Sequence, residues 1–102
     1  MYNTDMENVP SFAWHEPKRQ SNLVQHGIDF EDAKEIWQGE VFEIPSEQDE
    51  HGEQRHIAYG VLEGRIIAVV FTWRGAVRRL ISARRARTYE RRRYQNFFGQ
   101  GR

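Results

Sequence analysis

Between residues 55 and 84 the chain reads RHIAYGVL, then EG, then RIIAVVFTW, then RG, then AVRRLISAR. Two-residue connections of this kind join only antiparallel neighbours, because a parallel return needs a dozen residues or more. Three consecutive strands in a meander are therefore expected. The middle one is apolar along nearly its whole length, which suits the centre of a sheet covered on both faces. On the last strand, strict alternation would put Arg78, Leu80, Ser82 and Arg84 on one face and Val77, Arg79, Ile81 and Ala83 on the other.

The flanking segments must supply those covers. HEPKRQSNLVQHG is expected to be a helix with Pro17 in its first turn and Gly27 as its left-handed stop. Its only strongly apolar residues are Leu23 and Val24, so most of it faces water or a ligand. DFEDAKEIWQG is expected to be a packing helix, capped by Asp29, with Phe30, Ala33, Ile36 and Trp37 on one face and Gly39 at its end. VFEIP (41–45) reads as a fourth strand closed by Pro45, followed by a polar, acidic loop over 46–54. RTYERRRYQNFF returns to helical character, with Thr88 as candidate N-cap and Glu90 in the first turn. Phe12 to Trp14 allow at most a short edge strand. The expectation is a single α+β domain over 12–98, with two N-terminal helices, a four-stranded mainly antiparallel sheet and a C-terminal helix. Residues 1–11 and 99–102 are read as loose tails.

The chemistry open to such a chain is limited by what it lacks. There is no cysteine, which removes disulfides, thiolate metal sites and thiol nucleophiles. No run approaches the roughly 18 apolar residues of a membrane span, and the first residues do not resemble a secretory leader, so a cytoplasmic location is expected. No phosphate-binding or dinucleotide-binding glycine motif is present. His51 and His56 flank an acidic stretch but match no recognised metal spacing, so no metal and no cofactor are expected.

The formal net charge is zero, yet it is distributed unevenly. Residues 1–53 hold thirteen Asp and Glu against three Lys and Arg, whereas residues 74–102 hold ten Arg against one Glu. Such a split suits a surface facing a polyanion, although the two halves can equally neutralise each other within the fold. Arg84 and Arg85, where the last strand ends, suit a phosphodiester, since a planar guanidinium matches two phosphate oxygens and stays charged. Arg91, Arg92 and Arg93 point in three directions around one helical turn and read mainly as surface or partner contacts. His26, at the end of the first helix, is a candidate acid or base, with a simple capping role as the alternative.

Three stretches carry a resemblance: FAWHEPKRQSNLVQHGIDFEDAKEIW, EQRHIAYG and VVFTWRGAVRRLISARRARTYERRRY. With Trp14, Lys18, Asn22, His26 and Gly27 in order, the FEDA helix start, and ISAR followed by Glu90, Arg91 and Tyr94, the chain resembles the BrnT family of bacterial type II toxins. These belong to the RelE-like ribonuclease group. The resemblance implies a compact RelE-like fold, endoribonuclease activity that arrests translation, and a cognate antitoxin. That antitoxin would be BrnA-like, with a ribbon-helix-helix domain that touches operator DNA on the toxin's behalf, and a hetero-tetramer is an assembly the resemblance allows. The family's charged positions fall on Lys18, His26, Arg55, Arg74, Arg84, Arg85 and Glu90. The chain departs from the family pattern at His15, commonly Asp, and at Trp73, frequently acidic.

The expected reaction is metal-independent attack by the 2′-hydroxyl of RNA on its own phosphodiester. Arg84 and Arg85 would stabilise the phosphorane, and His26 or Lys18 would move a proton. Glu90 would orient an arginine or act as base. Arg55, Arg74 and Arg79 would add RNA binding, and Trp73 or Tyr94 would stack on a base. The alternative is an inactive relative that uses the same cations to bind RNA or an acidic antitoxin segment, or serves as a subunit of an autorepressor complex.

Overall fold

A computed structural model describes residues 11–99, so nearly all of the two expected tails lies outside the described residues. The elements are β1 (Ser11–Trp14), α1 (Glu16–His26), α2 (Phe30–Ala33), a 3-10 helix (Lys34–Gln38), β2 (Phe42–Gln48), β3 (Gln54–Leu62), β4 (Arg65–Arg74), β5 (Val77–Arg85) and α3 (Thr88–Phe98). The sheet has five strands in the order β1-β5-β4-β3-β2, one more than expected. The extra strand is the short Ser11–Trp14 segment, which pairs parallel with β5 from Ser11↔Val77 to Trp14↔Leu80. The meander β3-β4-β5 forms as its turns require, and β2 closes the other edge, antiparallel to β3.

β1 ends at Trp14, opposite Leu80, and the chain passes into α1, which continues along the rest of β5. Here Asn22 takes the place of a strand partner. Its carboxamide accepts from the Ala83 amide at 3.0 Å and donates to the Ala83 carbonyl at 2.9 Å and the Ile28 carbonyl at 2.8 Å. One buried side chain thus satisfies the backbone of β5 where pairing with β1 has run out. Leu23 and Val24, the apolar residues of α1, are exposed, so this helix is held by a polar contact as much as by apolar burial.

The segment expected to form one packing helix is instead a four-residue α-helix running into a 3-10 helix. Its most buried residues explain the change. Phe30, Ala33 and Ile36 recur every three residues, the 3-10 period, and are at most 1% exposed. The expected cap is present, with Asp29 accepting from the Glu31 amide. Asp29 also receives two hydrogen bonds from Arg19 of α1, at 2.7 and 2.9 Å, which fixes the two helices to each other. Gly60 allows the 3-10 helix to lie close on β3, because a Cβ there would fall 2.7 Å from that of Ile36.

Two cores result. Phe30, Ala33, Ile36, Ile67, Val69, Phe71, Leu80 and Ala83 fill the space under α2 and the 3-10 helix. Tyr59, Ala68 and Tyr94 pack under α3 on the other face. β2 runs through Pro45 to Gln48 rather than stopping at the proline; it is an edge strand, where a missing N–H costs least, and its register shifts after Pro45. The N-cap of α3 is Arg87 rather than Thr88, and its amide donates to Glu90 at 2.7 Å.

α1 has His15 at its N-cap position with no side-chain hydrogen bond. His15→Asp should add a capping carboxylate and stabilise the domain by about 1 kcal/mol. For a domain of this size that raises Tm by about 4–8 °C in a thermal melt, and no rise would show that the first turn is already satisfied by other groups.

Candidate functional site

A bulge in β5 sets the directions of the arginines. Val70 pairs with Ser82 and Phe71 with Leu80, so Ile81 is the extra residue. Leu80 and Ala83, expected on opposite faces, both lie in the core under α2. Beyond the bulge Arg85 follows Ala83 onto that face opposite Ile67, while Arg84, opposite Ala68, turns towards α3. The two arginines expected to converge on one phosphate therefore leave β5 on opposite faces of the sheet.

Arg84 is occupied. It makes two parallel hydrogen bonds to the Glu90 carboxylate, at 2.8 and 3.0 Å. The same carboxylate accepts from the Tyr59 hydroxyl at 2.8 Å and the Arg87 amide at 2.7 Å. Burial by itself would raise the pKa of Glu90, which is 2% exposed. The Arg84 guanidinium, the Arg87 amide and the Tyr59 hydroxyl outweigh that effect and hold it at about 2. Glu90 is thus an anchor for Arg84 and a poor proton acceptor near neutrality. Burial, and then the bond to Glu90, push the Tyr59 phenol well above its usual range, so it remains a donor.

Arg85 is exposed and, with His26, lines a cleft of about 150 Å³ between the end of α1 and the β3–β4 turn. Gly27, at φ 72°, turns the chain away directly after His26 and leaves that imidazole at the mouth. A second cleft of about 250 Å³ runs back along α1, past Lys18 and Gln25, and shares His26 with the first. A third, of about 210 Å³, lies towards α3 and shares Arg65 and Arg85 with the first. Lys18, His26, Arg85 and Arg65 thus line a trough made of three adjoining clefts, each sharing residues with the next. Two carboxylates, Asp32 and Glu63, also border the first cleft.

Glu63 and Arg65 are absent from the residues picked out by sequence. Arg65 had a readable signal: in an antiparallel pair β4 begins where β5 ends, and two residues before Ile67, the partner of Arg85, is Arg65. Glu63 has φ 51° and Gly64 φ 78°, the two positive-φ positions of a tight hairpin turn. A glutamate at such a position is uncommon.

Other expected residues lie elsewhere. Arg74 pairs with Val77 seven residues along β4 from Ile67, roughly 23 Å from Arg85 at about 3.3 Å per residue. There it forms an ion pair with Glu53 of the acidic loop at 2.8 Å. Arg55 is the second residue of β3, at this same end, and Arg79 is on β5 opposite Thr72. Trp73 has the Arg78 guanidinium 4.4 Å from its ring and meets Phe71 edge-on. Tyr94, expected to stack on a base, is a core residue only 8% exposed; its hydroxyl donates to the Glu40 carbonyl at 2.9 Å. His56 stacks on Phe71, and His51 is exposed beside Glu50. Among the described residues no three His, Asp or Glu side chains are gathered as a metal site, and no helix is long and apolar enough to cross a membrane.

Comparison with protein families matches residues 14–90 to the family described as "Ribonuclease toxin, BrnT, of type II toxin-antitoxin system". Among solved structures, the chain is similar to the 1.1 Å crystal structure of the Brucella abortus ribonuclease toxin BrnT. The two share 36% sequence identity over 78% of this chain and 100% of the other, with a TM-score of 0.60. A search of curated proteins returns no significant match.

Proposed function

Because the chain belongs to the BrnT family of ribonuclease toxins of type II toxin-antitoxin systems, we propose that it is an endoribonuclease that cuts RNA in the cleft shared by His26 and Arg85. The observation that carries this reading is the convergence of an exposed imidazole and an unpaired guanidinium on one groove. Among the described residues Arg85 forms no ion pair, so its donors are available to a phosphate.

The 2′-hydroxyl attacks the adjacent phosphorus, forming the P–O2′ bond as the P–O5′ bond breaks. The products are a 2′,3′-cyclic phosphate and a free 5′-hydroxyl. His26 takes the 2′ proton while water protonates the departing 5′ oxygen, or, in the opposite assignment, His26 delivers a proton to the 5′ oxygen while water takes the 2′ proton; Lys18, in the adjoining cleft, holds the entering strand. Arg85 faces the extra negative charge of the phosphorane. Arg84 does not touch substrate in this scheme. Locked to Glu90, it braces the end of β5 against α3 and so fixes the backbone from which Arg85 projects. No step needs a metal ion or cofactor.

As a type II toxin the protein has a cognate antitoxin as partner. We assign the arrest of translation to RNA cleavage in the cytoplasm, and its relief to a ribbon-helix-helix antitoxin that also carries the complex to operator DNA.

Incubation of the purified protein with RNA in EDTA tests the chemistry. Products ending in cyclic phosphate and 5′-hydroxyl are expected, and an oligonucleotide fully methylated at its 2′ oxygens should remain intact. Loss of cleavage with the chelator, or 5′-phosphate ends, would overturn the scheme.

A further inference from the structure

We propose that the third cleft, between the β3–β4 turn and α3, is a second phosphate subsite, which holds the RNA phosphate next to the one being cut. This inference rests on the cleavage site proposed above, because the two clefts share Arg65 and Arg85 and so adjoin, one step along a strand from each other.

Three observations point to an anion here. The lining brings together Arg65, Arg85, Arg91 and the Gln95 carboxamide, with no carboxylate among them. Three guanidinium groups on one small groove repel each other, an arrangement that costs stability unless an anion enters. The nearest carboxylate on α3, Glu90, is already committed to Arg84 and cannot neutralise them. Finally, Arg91 is held in place before any ligand arrives. One terminal nitrogen donates to the Ala86 carbonyl at 2.6 Å and the other to the Thr88 hydroxyl at 3.2 Å. A guanidinium fixed in this way loses little freedom when it also meets a phosphate oxygen. Arg65 and Arg85, exposed and without ion-pair partners among the described residues, supply the mobile side of the clamp.

The occupant is a phosphodiester rather than free phosphate, since the cleft adjoins the cleavage cleft through the shared Arg65 and Arg85. Its consequence is a length requirement. An RNA with a phosphate on both sides of the reacting nucleoside binds more tightly than one with only the phosphate to be cut.

The test uses 2′-deoxy dinucleotides, which cannot be cleaved by the proposed route, with and without a terminal phosphate at either end, titrated against the whole chain by NMR. In the unmodified protein a terminal phosphate on one end should tighten binding about tenfold. That gain should shrink to about twofold in Arg65→Ala and in Arg91→Gln, and Gln95→Glu should abolish it. If Arg91→Gln fails to fold, the Arg65 and Gln95 variants, both altered at exposed side chains, decide the matter. With longer strands, loss of one contact should lower the slope of log affinity against log salt by about 0.7. A terminal phosphate that adds nothing, or a gain that survives Arg65→Ala and Gln95→Glu, would overturn the subsite. So would a glutamate peptide that outcompetes the terminal phosphate. Because the probes are not cut, the subsite stands or falls apart from the nuclease reading: a protein that cleaves no RNA yet shows the gain keeps the subsite and loses the reaction.

Discussion

His26→Ala should lower the rate of RNA cleavage by about 10²–10⁴-fold, the usual loss when a positioned acid or base is removed. The imidazole is exposed at the last residue of α1, and the stop that follows is made by Gly27, whose amide donates to the Leu23 carbonyl. Thermal stability should therefore change by no more than about 0.5 kcal/mol, as for other surface substitutions. Retention of RNA binding distinguishes a lost proton transfer from a lost contact: the variant should still bind a 2′-deoxy strand within a few-fold of the parent. Full cleavage by His26→Ala would remove this residue from the reaction and leave Lys18 as the side chain to examine in the same trough.

Glu90→Gln should cost about 3–5 kcal/mol of stability, the range for breaking a buried ion pair by removing one partner. The carboxylate accepts four hydrogen bonds, and its loss leaves Arg84 facing α3 without a countercharge. At about 4–8 °C per kcal/mol the Tm should drop by more than about 10 °C. The effect carries a pH signature. Glu90 titrates at about 2 in the folded chain, against 4.5 when unperturbed. A carboxylate with a depressed pKa contributes stability that is complete above its unfolded value and fades as pH falls through the folded one. The parent should therefore lose stability between about pH 5 and pH 2 more steeply than Glu90→Gln. Parallel curves in denaturant titrations across that window would show that the pair contributes nothing net.

The meander, its turns and the cap at Asp29 were legible because each depends on local rules: a two-residue glycine turn, a run of apolar residues, a side-chain acceptor before a helix. For β1 a short edge strand was as much as the sequence allowed, and its parallel pairing was not legible, since four residues carry too little pattern to point to a strand more than sixty positions away. The 3-10 helix was written in the spacing of Phe30, Ala33 and Ile36, but that spacing also fits an α-helix until the packing against Gly60 is known. For the site, His26 and Arg85 could be singled out by type and position and Lys18 only through the family resemblance; His26 shares one cleft with Arg85 and the adjoining one with Lys18. Arg84 could not be separated from Arg85 by charge. What separates them is the pleat of the strand, together with the bulge at Ile81, which no short-range signal announces. Tyr94 and Trp73 show the same limit, because an aromatic residue near a basic run looks alike in sequence whether its ring faces a base or the core.

In the proposed reaction RNA is cut at the His26 and Arg85 end of the sheet and not at the Arg74 end. Cleavage rates of Arg85→Ala and Arg74→Ala, measured side by side on one RNA, test it most directly. Arg85→Ala should lose about 10²–10³-fold, as for removal of a donor to developing charge. Arg74→Ala, which breaks only an exposed pair with Glu53, should stay within a few-fold of the parent. The reverse ranking, with Arg74 essential and Arg85 dispensable, would contradict it.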